Sequence, residues 1–295
     1  MPNLLERASV KSVAELAEST GVRECLQWFT RERLWINEQH TRLVRIPAPT
    51  FFEQQRAEWM AAQFRSLGCK VQTDGAGNIV ARPSKTPEAP CVVFSAHLDT
   101  VLAPRSPGEI AVEPDGRLRG PGVADNGARL AAILAVAAAL DASPALGDLH
   151  CGLLLLANVC EECEGNLSGM RHFCEESPLG EQATAFVVLD GPATDYITCS
   201  ALESRRYEVT FSGPGGHSWS DFGVGNPAHA LSRAVAHFLD GQDGSKPEAG
   251  SRISYNFGVI EGGTSINAIP NSALVKVDLR SESNQRMEEL CSLLA

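Results

Sequence analysis

The residues best suited to chemistry in this chain stand where apolar runs end: His97 and Asp99, then Asp125, the pair Glu161 and Glu162, and Asp190. An imidazole among several carboxylates is a nitrogen-and-oxygen donor set that suits a hard or borderline cation such as Zn²⁺, Mn²⁺ or Co²⁺. Such a set predicts a metal-dependent hydrolase. In His97-Leu98-Asp99 the two polar side chains share one face of an extended strand, so Asp99 is placed to accept the spare imidazole N–H and fix the metal-binding tautomer. Asp125 stands in the loop Gly120-Pro121-Gly122-Val123-Ala124-Asp125-Asn126, which enters an apolar helix. There it can bridge two ions, while Asn126 or Asp125 caps the helix. Glu161 and Glu162 diverge in direction, so one can hold a metal while the other stays free as a general base. Taken singly, each of these reads as a turn, a cap or a wet surface pair. Their shared placement and order argue for a site.

The elements that must position them follow from the apolar pattern. Residues 91–96, 153–159 and 185–189 are short continuous apolar runs, as expected of strands buried on both faces of a largely parallel sheet. Ligands of open α/β sheets gather at the carboxyl ends of such strands, where these polar residues lie. The expected fold class is α/β: a mixed, largely parallel sheet flanked by helices over residues 1–197, followed by a smaller α+β lid or dimerisation domain over 198–295. Residues 10–67 read as helices broken by Pro47 and Pro49, with Phe52, Trp59, Met60 and Phe64 on the apolar side of 51–67. Hairpins are expected at 69–82 and 110–119, and a buried Ala-rich helix at 126–140. In the second half, 207–211, 253–259 and 273–279 alternate like half-exposed strands, with helices at 226–239 and 284–295 and a loop at 240–250.

Several segments together resemble the ordered motifs of the M20 metallopeptidases. They are Ser95-Ala96-His97-Leu98-Asp99-Thr100-Val101, the Gly120 to Asn126 loop, Glu161-Glu162 with Gly165, Leu189-Asp190-Gly191 and Gly213-Pro214-Gly215-Gly216-His217-Ser218. Arg45-Ile46-Pro47-Ala48-Pro49-Thr50 with Glu53 is similar to that family's amino-terminal signature. The family includes aminoacylases, acetylornithine deacetylase, succinyl-diaminopimelate desuccinylase and di- and tripeptidases. The resemblance implies that His97 and Asp190 hold one ion, that Asp125 bridges it to a second ion held by Glu162, and that Glu161 is the general base with Asp99 orienting His97. It further implies an oxyanion-stabilising His217, often acting in the partner subunit's site, and a substrate-anchoring pair, Asn267 and Arg280. An arginine suits a carboxylate because its planar fork can bind both oxygens.

That family's second metal takes a last histidine far toward the carboxyl end, and nothing before Ala295 corresponds to it. The expectation is a carboxyl-truncated chain with one tight ion, Zn²⁺ foremost and Co²⁺ or Mn²⁺ as alternatives. Its substrates would be small peptides or N-acyl amino acids cleaved beside a free carboxylate. The rival expectation is a catalytically impaired metal-binding and dimerisation fragment. Cys163 stands where a glycine is more usual.

Composition narrows the class. With 295 residues and 43% apolar content there is room for substantial cores. Lys and Arg number 25 against 36 Asp and Glu, a net charge of -11 without a basic run, which speaks against nucleic-acid binding. The amino terminus lacks a charged-then-apolar leader pattern, and the apolar stretch 130–140 is too short to span a bilayer. The nine cysteines show no framework, so a reducing, cytoplasmic location is expected, with no membrane partner. The edge strand 207–211 and the neighbouring helix need covering, and the family resemblance implies a homodimer formed there. Cys160 and Cys163 form a CxxC, but no second pair follows at knuckle spacing and two glutamates lie between them. The Gly213 to His217 loop lacks the Lys-Ser/Thr of a phosphate loop.

Overall fold

The computed structural model describes residues 13–88, 90–143, 149, 151–191, 193–241 and 252–294. The residues before Val13, most of the loop expected at 240–250, and Ala295 lie outside it. The chain divides into two units, Met1–Thr194 and Asp195–Ala295.

The first unit opens with helices α1 (Val13–Glu18), α2 (Thr20–Arg31), α3 (Arg33–Val44) and α4 (Gln54–Ser66). Pro47 and Pro49 fall between α3 and α4, where a missing N–H and a fixed φ interrupt a helix. Strands β1 (Lys70–Thr73) and β2 (Ile79–Arg82) form the expected hairpin, whose turn is tied by Asp74 accepting the N–H groups of Ala76, Gly77 and Asn78. β3 (Cys91–His97) follows, then the small hairpin of β4 (Ala111–Val112) and β5 (Leu118–Arg119). A wide π-type turn, Val123–Ala128, leads into α5 (Arg129–Ala142), and β6 (Gly152–Asn158), α6 (Ser168–Glu175) and β7 (Ala183–Val188) complete the unit.

Its sheet runs β1-β2-β6-β3-β7, with β3 parallel to both β6 and β7 and the first hairpin antiparallel. Every residue of β6 is buried, because Leu153, Leu155 and Ala157 pack against α4 and α5 while Leu154 and Leu156 join Phe173 of α6 on the other face. Each such leucine contributes roughly 1.5–3 kcal/mol on burial. β7 departs from the expected two-faced burial. It is the sheet's edge, and Val188 is 61% exposed. A continuous apolar run reports hydrophobicity but not whether a strand is central.

Two helix expectations also change. Phe52 is 73% exposed, since α4 begins only at Gln54 and its buried side is Arg56, Ala57, Met60, Ala61 and Phe64. The π-type turn and α5 together make a run of 20 residues, longer than expected and apolar enough by length and composition to cross a membrane. Here Leu130, Ile133, Leu134 and Ala137 are instead buried in the core with Met60, Phe64 and Leu155.

The second unit holds β8 (Glu203–Ser212), β9 (Gly216–His217), α7 (Pro227–Asp240), β10 (Ile253–Gly262), β11 (Ala268–Ile269), β12 (Ser272–Ser281) and α8 (Asn284–Leu294). β12 lies between β10 and β8 in an antiparallel sheet and alternates between buried and half-exposed residues. Val277 and Leu279 pack with Phe238 of α7 and with Met287 and Leu290 of α8, and Ala273 and Val275 pack with Leu231. Asn226 caps α7 by accepting from the N–H groups of Ala228 and His229, with Pro227 in the first turn. The fold class is therefore the expected one, a mostly parallel sheet with helices plus a separate antiparallel α+β unit.

Candidate metal centre

The sheet delivers His97 and Asn158 side by side, and the Leu98 N–H donates to Asn158 O at 2.7 Å, tying the two strand ends together. His97 is buried. Its Nε2 lies 3.0 Å from Asp125 Oδ1 and 3.5 Å from Asp190 Oδ1, and its Nδ1 lies 3.0 Å from the main-chain oxygen of Asp99 and 3.3 Å from Asp99 Oδ1. With both Nδ1 neighbours acting as acceptors, Nδ1 carries a proton, and Nε2, which faces the carboxylates, is the nitrogen that a metal ion would take in place of its proton. One ligand atom each from His97, Asp125 and Glu162 lie within 4.8 Å of one another. This donor set fits a divalent cation of the Zn²⁺, Mn²⁺ or Co²⁺ class, and Asp190 approaches the same nitrogen.

The helix side brings Asp125. The Val123 oxygen accepts from His40 Nε2 at 2.8 Å, and the Asp125 oxygen accepts from Thr100 Oγ1 at 3.3 Å. Gly122, at φ 67°, lets the turn pass under Thr100, whose side chain would lie 3.0 Å from an added Cβ. No side chain caps this turn or α5. Against expectation, Asn126 reaches across to the β7 end, donating to Leu189 O at 3.1 Å. Arg129 then holds the residues after Asp190 through Gly191 O and Ala193 O.

Electrostatics follow from the crowding. Burial alone would lower the His97 imidazole, but bonds to Asp190 and Asp99 and the charges of Glu161 and Asp99 push it up to about 10. Burial, and then mutual repulsion with Asp190, Glu162 and Asp99, raises the Glu161 carboxyl above its ordinary value. Glu162 is raised by burial and by Asp125 first. Asp190 is held low, chiefly by its bond to His97. A pocket that draws a positive charge onto its imidazole and protons onto its two glutamates favours a cation.

Asp99 does more than face His97. Its carboxylate, fully buried, accepts from Thr50 Oγ1 and from the N–H groups of Glu161 and Glu162 at 3.1 and 2.9 Å. The two preceding N–H groups go to Asn78 Oδ1 (Val159, 2.9 Å) and Glu53 Oε1 (Cys160, 3.0 Å). Arg56, also fully buried, donates to Ile46 O and to Leu98 O. Sequence reasoning gave none of Glu53, Arg56 and Asn78 a role. The available signal was Arg56 at i, i+4 and i+8 with Met60 and Phe64, a cation on the apolar face of a helix.

In the second unit, β9 pairs with β11 so that His217 stands opposite Ala268, and the Ser218 N–H donates to Asn267 O. His217 and Asn267 are thereby brought together. His217 Nδ1 accepts from the N–H groups of Trp219 and Ser220, which leaves the ring proton on Nε2. Arg280 stands on β12, its Nε donating to Asp278 Oδ2 at 2.8 Å.

Comparison with known proteins places this architecture. Residues 78–204 match Peptidase family M28, and residues 203–295 match the Peptidase dimerisation domain. The chain belongs to the M20/M28 peptidases and carries their dimerisation domain. A probable carboxypeptidase of Aspergillus terreus is 30% identical over 212 residues, covering 69% of this chain and 47% of that protein. A Peptidase M20 domain-containing protein of Sordaria macrospora is 27% identical over 227 residues, 70% of this chain and 48% of its own. The chain thus spans about half the length of these curated relatives. Among solved structures, the dipeptidase Dug1p of Saccharomyces cerevisiae superposes with a TM-score of 0.66 at 16% identity, covering 94% of this chain and 75% of its own. Human carnosine dipeptidase 1 does so with a TM-score of 0.61 at 15% identity, over 92% and 76%. At such identities the likeness is one of fold.

Proposed function

We propose that this chain carries the machinery for metal-dependent hydrolysis of a peptide or N-acyl amide bond beside a free carboxylate. The observation that carries the reading is the convergence of His97, Asp125 and Glu162, with Glu161 next to them and outside that ligand group. A divalent ion held by these residues and Asp190, Zn²⁺ foremost with Co²⁺ or Mn²⁺ as alternatives, would polarise the scissile carbonyl and acidify a water molecule. Glu161, half-buried with a raised carboxyl, is suited to take a proton from water and deliver it to the leaving amine nitrogen. Asp99 holds His97 by Nδ1 and Glu161 by its N–H, so base and ligand are oriented by one carboxylate. His217, protonated at Nε2, is a donor for a developing oxyanion, and Asn267 and Arg280 are the groups assigned to the substrate's polar end. The names of the relatives and neighbours, carboxypeptidase and dipeptidase, agree with a short peptide bearing a free carboxylate. The reading includes a cytoplasmic homodimer formed through the second unit.

The test is Glu161→Gln. Metal content should stay at the parental level while hydrolysis of a dipeptide and N-acyl amino acid panel falls by about 10²-fold or more. Loss of metal together with activity would make Glu161 a ligand and refute this assignment. One observation favours a second reading, a metal-binding and dimerising unit with weak turnover: among the described residues the edge strand β7 leaves Phe186, Val187 and Val188 exposed.

A further inference from the structure

Beyond the end of β6 the backbone N–H groups have no ladder to join, and a buried donor without a partner costs about 1–3 kcal/mol. In this segment the N–H groups of Val159, Cys160, Glu161 and Glu162 each end on a side chain: Asn78, Glu53 and, for the last two, Asp99. All three acceptors are buried polar residues. Glu53 and Asp99 are carboxylates, and the fully buried Arg56 sits where its charge acts on both. The Glu53 bond falls on the most constrained residue of the four. Cys160 lies in the left-handed region at φ 54°, a conformation that costs a residue with a Cβ about 1–3 kcal/mol. Gly165 packs so closely beneath it that an added Cβ would stand 2.7 Å from the Cys160 carbonyl.

We propose that Glu53 is a positioning residue of this site: by holding the Cys160 N–H it fixes the turn from which Glu161 and Glu162 project. The proposal rests on the reading that Glu161 and Glu162 carry the chemistry. Those two residues follow Cys160 directly, so a rotation of the Cys160 peptide re-aims both. A displacement of about 1 Å at a reacting group can cost about 10²-fold. Glu53 comes from the entry to α4, immediately after the Pro47 to Phe52 segment, and thereby links the amino-terminal helices to the strand end that bears the glutamates.

Two substitutions in the 295-residue chain separate reach from charge. Glu53→Gln keeps an acceptor oxygen at the same reach but removes the charge facing Arg56. Glu53→Asp keeps the charge but withdraws the acceptor by about 1.5 Å, one carbon–carbon bond. The readouts are amide hydrogen exchange over residues 159–162 in the metal-free protein, and Zn²⁺ affinity by calorimetry. Positioning predicts Glu53→Gln within about 3-fold of the parent, and Glu53→Asp with faster exchange at Cys160 and Zn²⁺ affinity down about 10-fold or more. Where turnover is measurable, kcat should fall more than KM rises. The reverse order would make Glu53 only a counter-charge for Arg56 and overturn the proposal, as would parental behaviour in both variants or loss of fold in both. Should Glu53→Asp alone fail to fold, Glu53→Gln must keep parental exchange and affinity; faster exchange with lost affinity overturns the proposal. Glu162→Gln serves as a separate control. If it leaves Zn²⁺ affinity unchanged, the ligand assignment fails, while the exchange order of the Glu53 variants still decides the role of Glu53.

Discussion

Replacing Arg56 by Met removes a cation that solvent does not reach and strands the groups it serves. Its Nε and Nη2 both donate to Ile46 O, at 3.1 and 2.6 Å, and Nη1 donates to Leu98 O at 2.8 Å. Burial pulls the guanidinium down to about 10, against the opposing pull of Asp99 and Glu53, so it is charged at neutral pH. Two buried carbonyls left without donors cost about 1–3 kcal/mol each. Removing one member of a buried charge group costs about 3–5 kcal/mol, because the remaining carboxylates lose their counter-charge. These terms overlap, since the same guanidinium supplies both, and Met regains part of the desolvation that Arg gave up. The net expectation is a loss of about 3–5 kcal/mol. For a unit of this size, each kcal/mol moves the melting temperature by about 2–4 °C, so a fall of about 6–20 °C is expected. Thermal unfolding followed by near-UV circular dichroism, with urea titration at fixed temperature, measures it. A change under about 1 kcal/mol would refute the idea that Arg56 holds the Leu98 end of β3 against the Ile46 segment.

Metal titration of the purified chain should give close to one tightly bound ion by calorimetry and elemental analysis, and two equally tight ions would contradict the ligand set read here. At an ion concentration about 100-fold above Kd the native state should gain about 2.7 kcal/mol, which a chelator should reverse in thermal melts. Gly169→Ala should destabilise by about 1–3 kcal/mol and loosen the Val159 to Glu162 segment in hydrogen exchange. The reason is that the added Cβ would fall 2.3 Å from Val159 O and 2.5 Å from Asn78 Oδ1. The chain should sediment as a dimer at micromolar concentration, and a monomer would remove the basis for His217 acting across subunits.

Much of the fold was legible because it is local. The hairpin at Asp74 to Asn78, the caps of α7 and the alternation of β12 are written in neighbouring residues. What escaped depends on partners far away in the chain. The spacing of Arg56 with Met60 and Phe64 puts a cation on the apolar side of α4, but nothing near it announces that Leu98 O, 42 residues on, needs a donor. Asn78 looked like a turn residue, yet it is fully buried and bridges Asp74, Gly169 and Val159. Asp99 was legible as a partner of His97 because the two share a strand face. Its bonds to Glu161 and Glu162 arise only because β3 and β6 are neighbours in the sheet, which apolar runs do not reveal.

The same anchors explain how so many carboxylates can be gathered at one strand edge. Loops at strand ends have few ladder bonds of their own, and each ligand-bearing segment here is held by a side chain from a helix or from its approach. Arg56 of α4 holds Leu98 O, His40 of α3 donates to Val123 O, and Arg129 of α5 holds Gly191 O. The donors grip main-chain oxygens, leaving the carboxylates of Asp125, Glu162 and Asp190 free to face inward. The two arginines also place positive charge behind the cluster. Arg129 helps keep Asp190 ionised, and the Arg56 charge acts on Asp99 and Glu53. The surplus negative charge is thus offset from the protein side while one face is kept for a cation, which is what distinguishes this assembly from an acidic surface patch.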